Sequence, residues 1–114
     1  QWKAAIARVS QRENVLINLG ALPIRMPSYQ GDRTLPPGSE EVAAAWRPWV
    51  ETCIEAFGPA RSMYESNFPV QKRWCSYQVC WNAFKRISSG ASLSEKADLF
   101  AGTAARAYRI QNLL

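Results

Sequence analysis

Apolar positions along this chain follow two patterns that alternate. From Glu40 to Phe57, residues Val42, Trp46, Trp49, Val50, Cys53, Ile54 and Phe57 recur at helical spacing, forming one stripe of a helix. Trp2, Ile6 and Val9 make a shorter stripe that ends near Arg12. Val79, Cys80, Ala83, Phe84 and Ile87 make a third, on a helix predicted over Ser76 to Ile87. Between these stripes lie two short apolar runs, Val15–Leu19 and Ser62–Phe68. Near-continuous apolar runs suit strands buried on both faces, as in parallel sheets.

Punctuation residues set the expected boundaries. Glu13-Asn14 reads as a turn, and Gly20 ends the first strand. About eighteen residues to Gly38 follow, with Pro23, Pro27, Gly31, Pro36 and Pro37 among them. A loop of that length suits an active-site loop or a plain surface excursion. Ser39 is the expected N-cap of the next helix, with Glu40 and Glu41 in its first turn. Pro48 predicts a kink there, or a break into two helices near Arg47. Gly58-Pro59 stops the helix. The second strand is stopped by Pro69, and Val70–Trp74 forms a basic connection. Ser92 and Glu95 have capping-box spacing, opening a helix with Leu93, Ala97, Phe100 and Ala101 turned inward. Gly102-Thr103 interrupts it before a last helix over Ala104–Ile110.

The order is α-β-α-β-α-α, with about five helices and two strands. A helix, a strand with a polar end, then a helix is the repeating unit of α/β barrels and doubly wound sheets, where chemistry sits at the carboxyl ends of the strands. That places interest on Glu65 and Asn67. Two residues apart on one strand, they are expected to share a face. Two parallel strands do not make a stable sheet alone, so these are expected to have neighbours outside this chain.

Length and charge narrow the reading. At 114 residues, one domain over 1–114 is expected. The net charge of +5 is spread in blocks no longer than two, as in Lys72-Arg73, which suits solvated faces better than a nucleic-acid interface. No apolar run approaches the roughly 20 residues of a membrane span. The chain opens directly into amphipathic helix, with neither a signal peptide nor an initiator Met, and so reads as starting inside a longer protein. Histidine is absent, which excludes a Ser-His-Asp triad, a Cys-His dyad or a His-ligated metal built from this chain alone. Cys53 and Cys80 fall on apolar helix faces, and the spacing of Cys75 from Cys80 suggests no metal site. A reducing, cytoplasmic setting is expected.

Four blocks carry a resemblance. They are Asn14-Val-Leu-Ile-Asn-Leu-Gly20, then Trp46-Arg-Pro-Trp-Val-Glu-Thr-Cys-Ile-Glu-Ala-Phe-Gly-Pro59, then Arg61-Ser-Met-Tyr-Glu-Ser-Asn-Phe-Pro69, and finally Gly102-Thr-Ala-Ala-Arg-Ala-Tyr-Arg109. In order and spacing they resemble the C-terminal part of the amidohydrolase-related family, TIM-barrel hydrolases, lactonases and decarboxylases. The resemblance implies an α/β fold, a C-terminal fragment of a (β/α)8 barrel. Val15–Leu19 would be strand seven and Ser62–Phe68 strand eight.

The family's earlier strands carry a His-x-His pair and further histidines, and its eighth strand typically ends Gly-Ser-Asp-x-Pro. The Asp ligates a metal or, in metal-free members, activates water. Here the segment reads Glu65-Ser-Asn-Phe-Pro69, with Asn67 in the Asp position and Glu65 in place of Gly. The resemblance thus leaves the cofactor open: a divalent metal such as zinc occurs in the family, yet no His is present and a neutral amide is a poor ligand and no general base. Three readings of Asn67 stand side by side: a substrate hydrogen-bonding group, a vestigial site, or a cap of the following turn. Glu65, about 6.6 Å deeper along a strand, would supply the missing carboxylate or pair with an arginine. Arg25, in the long loop, is the candidate to clamp a substrate carboxylate, with Tyr29 a weaker one.

The expected function is therefore hydrolysis of a small carboxylic, lactone or amide substrate by a longer protein, with the isolated chain inactive. The partner is a small-molecule substrate, with no nucleic acid and no membrane; a homo-oligomer is left open. The alternative is a non-catalytic α/β module that binds a partner through exposed apolar surface.

Overall fold

The computed structural model describes residues 1–22 and 36–111. Helix α1 (Trp2–Ser10) leads into strand β1 (Ile17–Leu19), and helix α2 (Ser39–Phe57) leads into strand β2 (Ser62–Tyr64). A 3-10 turn at Val70–Arg73 joins β2 to helix α3 (Tyr77–Ile87). Helix α4 (Leu93–Ala97), a π-turn (Asp98–Gly102) and helix α5 (Thr103–Ala107) complete the described order.

The two strands pair in parallel, with Ile17 opposite Ser62, Asn18 opposite Met63 and Leu19 opposite Tyr64. Side chains alternate across the pair. Leu19 and Tyr64 enter the helical core, with Ile17 packed at its edge, while Asn18 on the other face is exposed. Both strands are shorter than their apolar runs. The expectation of burial on both faces holds for β2 but not for β1.

The core is an aromatic cluster between the sheet and the helices. Tyr64 stacks on Phe84 of α3 at 4.3 Å between ring centroids, and Phe84 meets Trp46 of α2 at 5.3 Å. Phe100 and Trp81 flank them. The Tyr64 hydroxyl shares a buried hydrogen bond with Ser88, so the ring is inserted without leaving its polar end orphaned. The predicted α2 stripe is buried at Val42, Trp46, Val50, Cys53 and Phe57, whereas Trp49 stays 38% exposed and meets Trp2 of α1 edge-on at 4.8 Å.

Three expectations about the helices are corrected. The break into two helices near Arg47 does not occur: α2 is one helix through Pro48. Proline forfeits only the bond to the Ala44 carbonyl, and both residues lie on the exposed side where water can take that carbonyl. Its N-cap is Gly38 with no side-chain cap; Ser39 is the first helical residue, and its hydroxyl accepts from Arg86 Nε at 2.8 Å. The C-terminal helices do not break at Gly102-Thr103 but pass through the π-turn. The Ser92–Glu95 capping box forms as expected, yet Leu93 is 85% exposed, and Leu99 and Thr103 are the buried residues. A π-turn adds a residue to the helical repeat and so rotates the phase of the stripe.

At their amino ends the strands are fastened by Arg61. Its guanidinium donates to the carbonyls of Ser10 at 2.9 Å, Arg12 at 3.0 Å and Val15 at 3.3 Å, and lies over the Phe57 ring at 5.2 Å. The buried Thr103 hydroxyl donates to the Pro59 carbonyl at 2.7 Å, and Arg106 bridges Asp98 at 3.1 Å, tying the last helices to the same end. No helix among the described residues is long and apolar enough to cross a membrane.

Candidate functional site

The carboxyl ends of β1 and β2 meet at Gly20 and Glu65. The backbone N–H of Glu65 donates to the Leu19 carbonyl at 3.2 Å, carrying the ladder one step past the last paired residues. The Glu65 side chain then folds across Gly20, where a Cβ would sit 2.1 Å from Glu65 Cγ and 2.8 Å from the Glu65 carbonyl oxygen. Glycine is thus required by close approach, a role that its position after an apolar run does not reveal. Glu65 is partly buried, and among the described residues no arginine pairs with it.

Asn67 departs from the strand pattern. The strand ends at Tyr64, and Asn67 adopts φ +56°, in the left-handed region that Asn tolerates better than most residues. The shared strand face expected for Glu65 and Asn67 does not exist, because period-two alternation holds only in extended backbone. Asn67 instead opens a turn. Its carbonyl accepts from the Gln71 N–H at 2.8 Å, and its side-chain Nδ2 donates to Gln71 Oε1 at 3.4 Å. Gln71 is 3% exposed, and its Nε2 is buried without a partner among the described residues. Part of the turn-capping reading is therefore realised, yet the amide of Asn67 is also held at a fixed orientation with Oδ1 and one N–H to spare.

Around this point, the Phe68 N–H donates to Ser66 Oγ at 3.3 Å, and the Cys80 thiol donates to the Ser66 carbonyl at 3.8 Å. The Phe68–Pro69 peptide is cis. Beyond it, a cleft of about 590 Å³ opens beside Pro69, Val70, Lys72 and Arg73. Two cations therefore line that cleft, within what the sequence marks only as a basic connection. Arg25 and Tyr29 lie outside the described residues.

The donor set here does not by itself fit a metal. Among the described residues no group of three or more His, Cys, Asp or Glu side chains could hold one, and the amide of Asn67 is a weak ligand beside a lone carboxylate. No step is assigned to a metal.

Residues 1–110 match the amidohydrolase family. The chain belongs to that family. It is 38% identical over 109 residues to the uncharacterised protein y4mH of Sinorhizobium fredii (strain NBRC 101917 / NGR234), spanning 96% of this chain and 33% of the relative. It is 29% identical over 115 residues to an L-fucono-1,5-lactonase of Burkholderia multivorans (strain ATCC 17616 / 249), covering 96% of this chain and 36% of that enzyme. Among solved structures it resembles an amidohydrolase from Burkholderia multivorans with bound zinc, at a TM-score of 0.79 and 27% identity over 95% of this chain and 36% of the other. A candidate 2-pyrone-4,6-dicarboxylic acid hydrolase from Pseudomonas putida shares the fold at a TM-score of 0.65 and 20% identity, with the same coverage. This amidohydrolase chain spans about a third of the length of the relatives it matches. Its mixed helix and parallel-strand content agrees with their TIM-barrel architecture.

Proposed function

We propose that this amidohydrolase chain supplies strands seven and eight of a barrel that hydrolyses small lactone, carboxylic ester or amide substrates, with Glu65 and Asn67 at the barrel mouth. The observation that carries the proposal is the placement of the Glu65 carboxylate across Gly20, at the carboxyl ends of both parallel strands. That is where barrel enzymes of every chemistry keep their reacting groups.

In this reading Glu65 is the proton acceptor. A carboxylate at the strand end takes a proton from water as the water oxygen adds to the acyl carbon. The ring oxygen or amine then leaves with a proton returned to it. Asn67, its amide held by Gln71, donates its free N–H to an oxygen of the substrate, and the negative charge developing on that oxygen strengthens the bond. Asn67 thus serves as a hydrogen-bond donor where relatives with an acid at this point have a base or ligand. Lys72 and Arg73, beside the adjoining cleft, suit a substrate that carries a carboxylate, as does Arg25, which follows β1 in the sequence.

The test is an assay of the complete protein carrying this chain against small lactones, carboxylic esters and amides. Turnover is expected, with Glu65→Gln lowering kcat by roughly 10²–10⁴-fold and leaving KM little changed. The isolated 114-residue chain should be inactive. A folded complete protein that turns over none of these substrates, or one whose Glu65→Gln variant is unimpaired, overturns the proposal. The former outcome would favour a non-catalytic module in which the exposed Val70, Trp74 and Tyr77 hold a partner.

A further inference from the structure

Leu19 and Tyr64 face the aromatic core, so alternation turns Asn18 and Gly20 of one strand, and Met63 and Glu65 of the other, to the opposite side of the sheet. Asn18 is the one polar side chain in the run Val15–Leu19, and asparagine is a type that strands disfavour. It is exposed, and its neighbour across the register is Met63. Met63 offers it only a thioether sulfur, a weak acceptor.

A better acceptor stands above it. Because Gly20 has no side chain, the arm of Glu65 crosses to β1 and fills the space that one would take, with Cγ 2.1 Å and Oε1 2.8 Å from the Cβ position. The carboxylate thus stands over β1 rather than over its own strand, in one column with Asn18. Residues two apart on a strand are separated by about 6.6 Å. Leu19, between them in sequence, points into the core, so no β1 side chain intervenes in that column. Among the described residues no arginine pairs with Glu65 to hold its head.

We propose that the Asn18 amide donates to the Glu65 carboxylate from beneath and holds it turned towards the strand ends. Asn18 is then a positioning residue, and its part in turnover rests on the reading of Glu65 as the proton acceptor. An ionised carboxylate only accepts, and the Asn18 Nδ2 supplies the donor that Met63 lacks. A hydrogen bond to a charged oxygen is shorter and stronger than one between neutral groups. It confines a side chain with three free torsions, and it leaves the second carboxylate oxygen for the attacking water. Glycine on β1 admits the carboxylate; asparagine one pleat below orients it.

The experiment uses the complete protein carrying this chain. Asn18→Leu should lower kcat by roughly 10–100-fold, the loss expected for a hydrogen bond to a charged group, with KM changed by no more than about twofold. In Glu65→Gln, where the base is already gone, Asn18→Leu should change kcat little. Urea melts supply a readout that needs no turnover. Asn18→Asp sets two carboxylates in one column and should lower the midpoint. Combined with Glu65→Gln, it exchanges acid and amide between the strands and should recover most of that loss. Additive midpoint shifts overturn the inference whether or not the protein is active. So does an active protein whose kcat Asn18→Leu leaves unchanged, or lowers equally with and without the Glu65 carboxylate. Coupled melts in a protein without turnover would uphold the contact and overturn instead the reading of Glu65 as a base.

Discussion

Glu65 Cγ occupies the space that a side chain on Gly20 would need, at 2.1 Å from the nearest position of a Cβ. The carboxylate is placed by an absence on the neighbouring strand. Because the Glu65 carbonyl also lies 2.8 Å from that position, a rotation of the Glu65 side chain alone cannot relieve a substitution. Gly20→Ala is expected to destabilise the protein by about 1–3 kcal/mol. Glu65→Ala should recover only part of that loss in the double variant. Urea melts of the four proteins in the cycle check this; additive effects would refute the contact.

Arg61 makes a separate prediction at the opposite end of the sheet. Three carbonyls, from Ser10, Arg12 and Val15, share one guanidinium. A lysine carries the charge but not the planar fork needed to reach all three. Arg61→Lys should therefore cost about 1–3 kcal/mol, and Arg61→Met somewhat more, read as shifts in the denaturation midpoint.

Asn67 is predicted to respond to backbone geometry and chemistry in opposite ways. Its φ of +56° favours glycine, so Asn67→Gly should leave stability within a few tenths of a kcal/mol, while Asn67→Ala should cost roughly 1 kcal/mol. Both remove the amide and should reduce turnover of the complete protein alike. Parallel melting and rate measurements separate the two effects.

Glu95 gives the pH dependence. The Ser92 backbone N–H, and then the Ser92 hydroxyl, hold its carboxyl below the usual carboxylate range. A lowered folded value means that the unfolded chain binds the proton more readily. The contribution is therefore present above the unfolded value of about 4.3 and is lost as pH falls through the lower folded one. Wild-type protein should melt above Glu95→Gln near neutral pH, and the gap should close with acidification over that window. A gap that persists in acid would contradict the charged cap.

The sequence exposed those features that depend on neighbours close along the chain. The α2 stripe at Val42, Trp46, Val50, Cys53 and Phe57 needs only helical periodicity, and the Ser92–Glu95 box needs only a spacing of three. Strand ends were harder to read, because pairing fixes them: Val15 and Phe68 are apolar but lie beyond the ladder. The proposed site could be marked in the sequence as the segment Glu65–Asn67 but not as an arrangement. The left-handed Asn67, the buried Gln71 beneath it and the close approach at Gly20 arise from chain reversal and contact with another strand. Leu93 is exposed at the first position of its helix, before the π-turn, whereas Leu99 and Thr103 are buried within and after it, where the added residue turns the stripe.

The guanidinium of Arg61 and the hydroxyl of Thr103 secure the foot of this unit, a strand's length from Glu65 and Asn67. Anchorage and the proposed chemistry therefore draw on different residues. Exchanges at positions 65 and 67 that respect the glycine contact and the left-handed turn leave those attachments untouched. A lineage, or an engineer, can try new acids, amides and hydroxyls at the strand end while the fold keeps its footing. A carboxylate two positions early and an amide in the acid's place are the kind of rearrangement that such freedom permits.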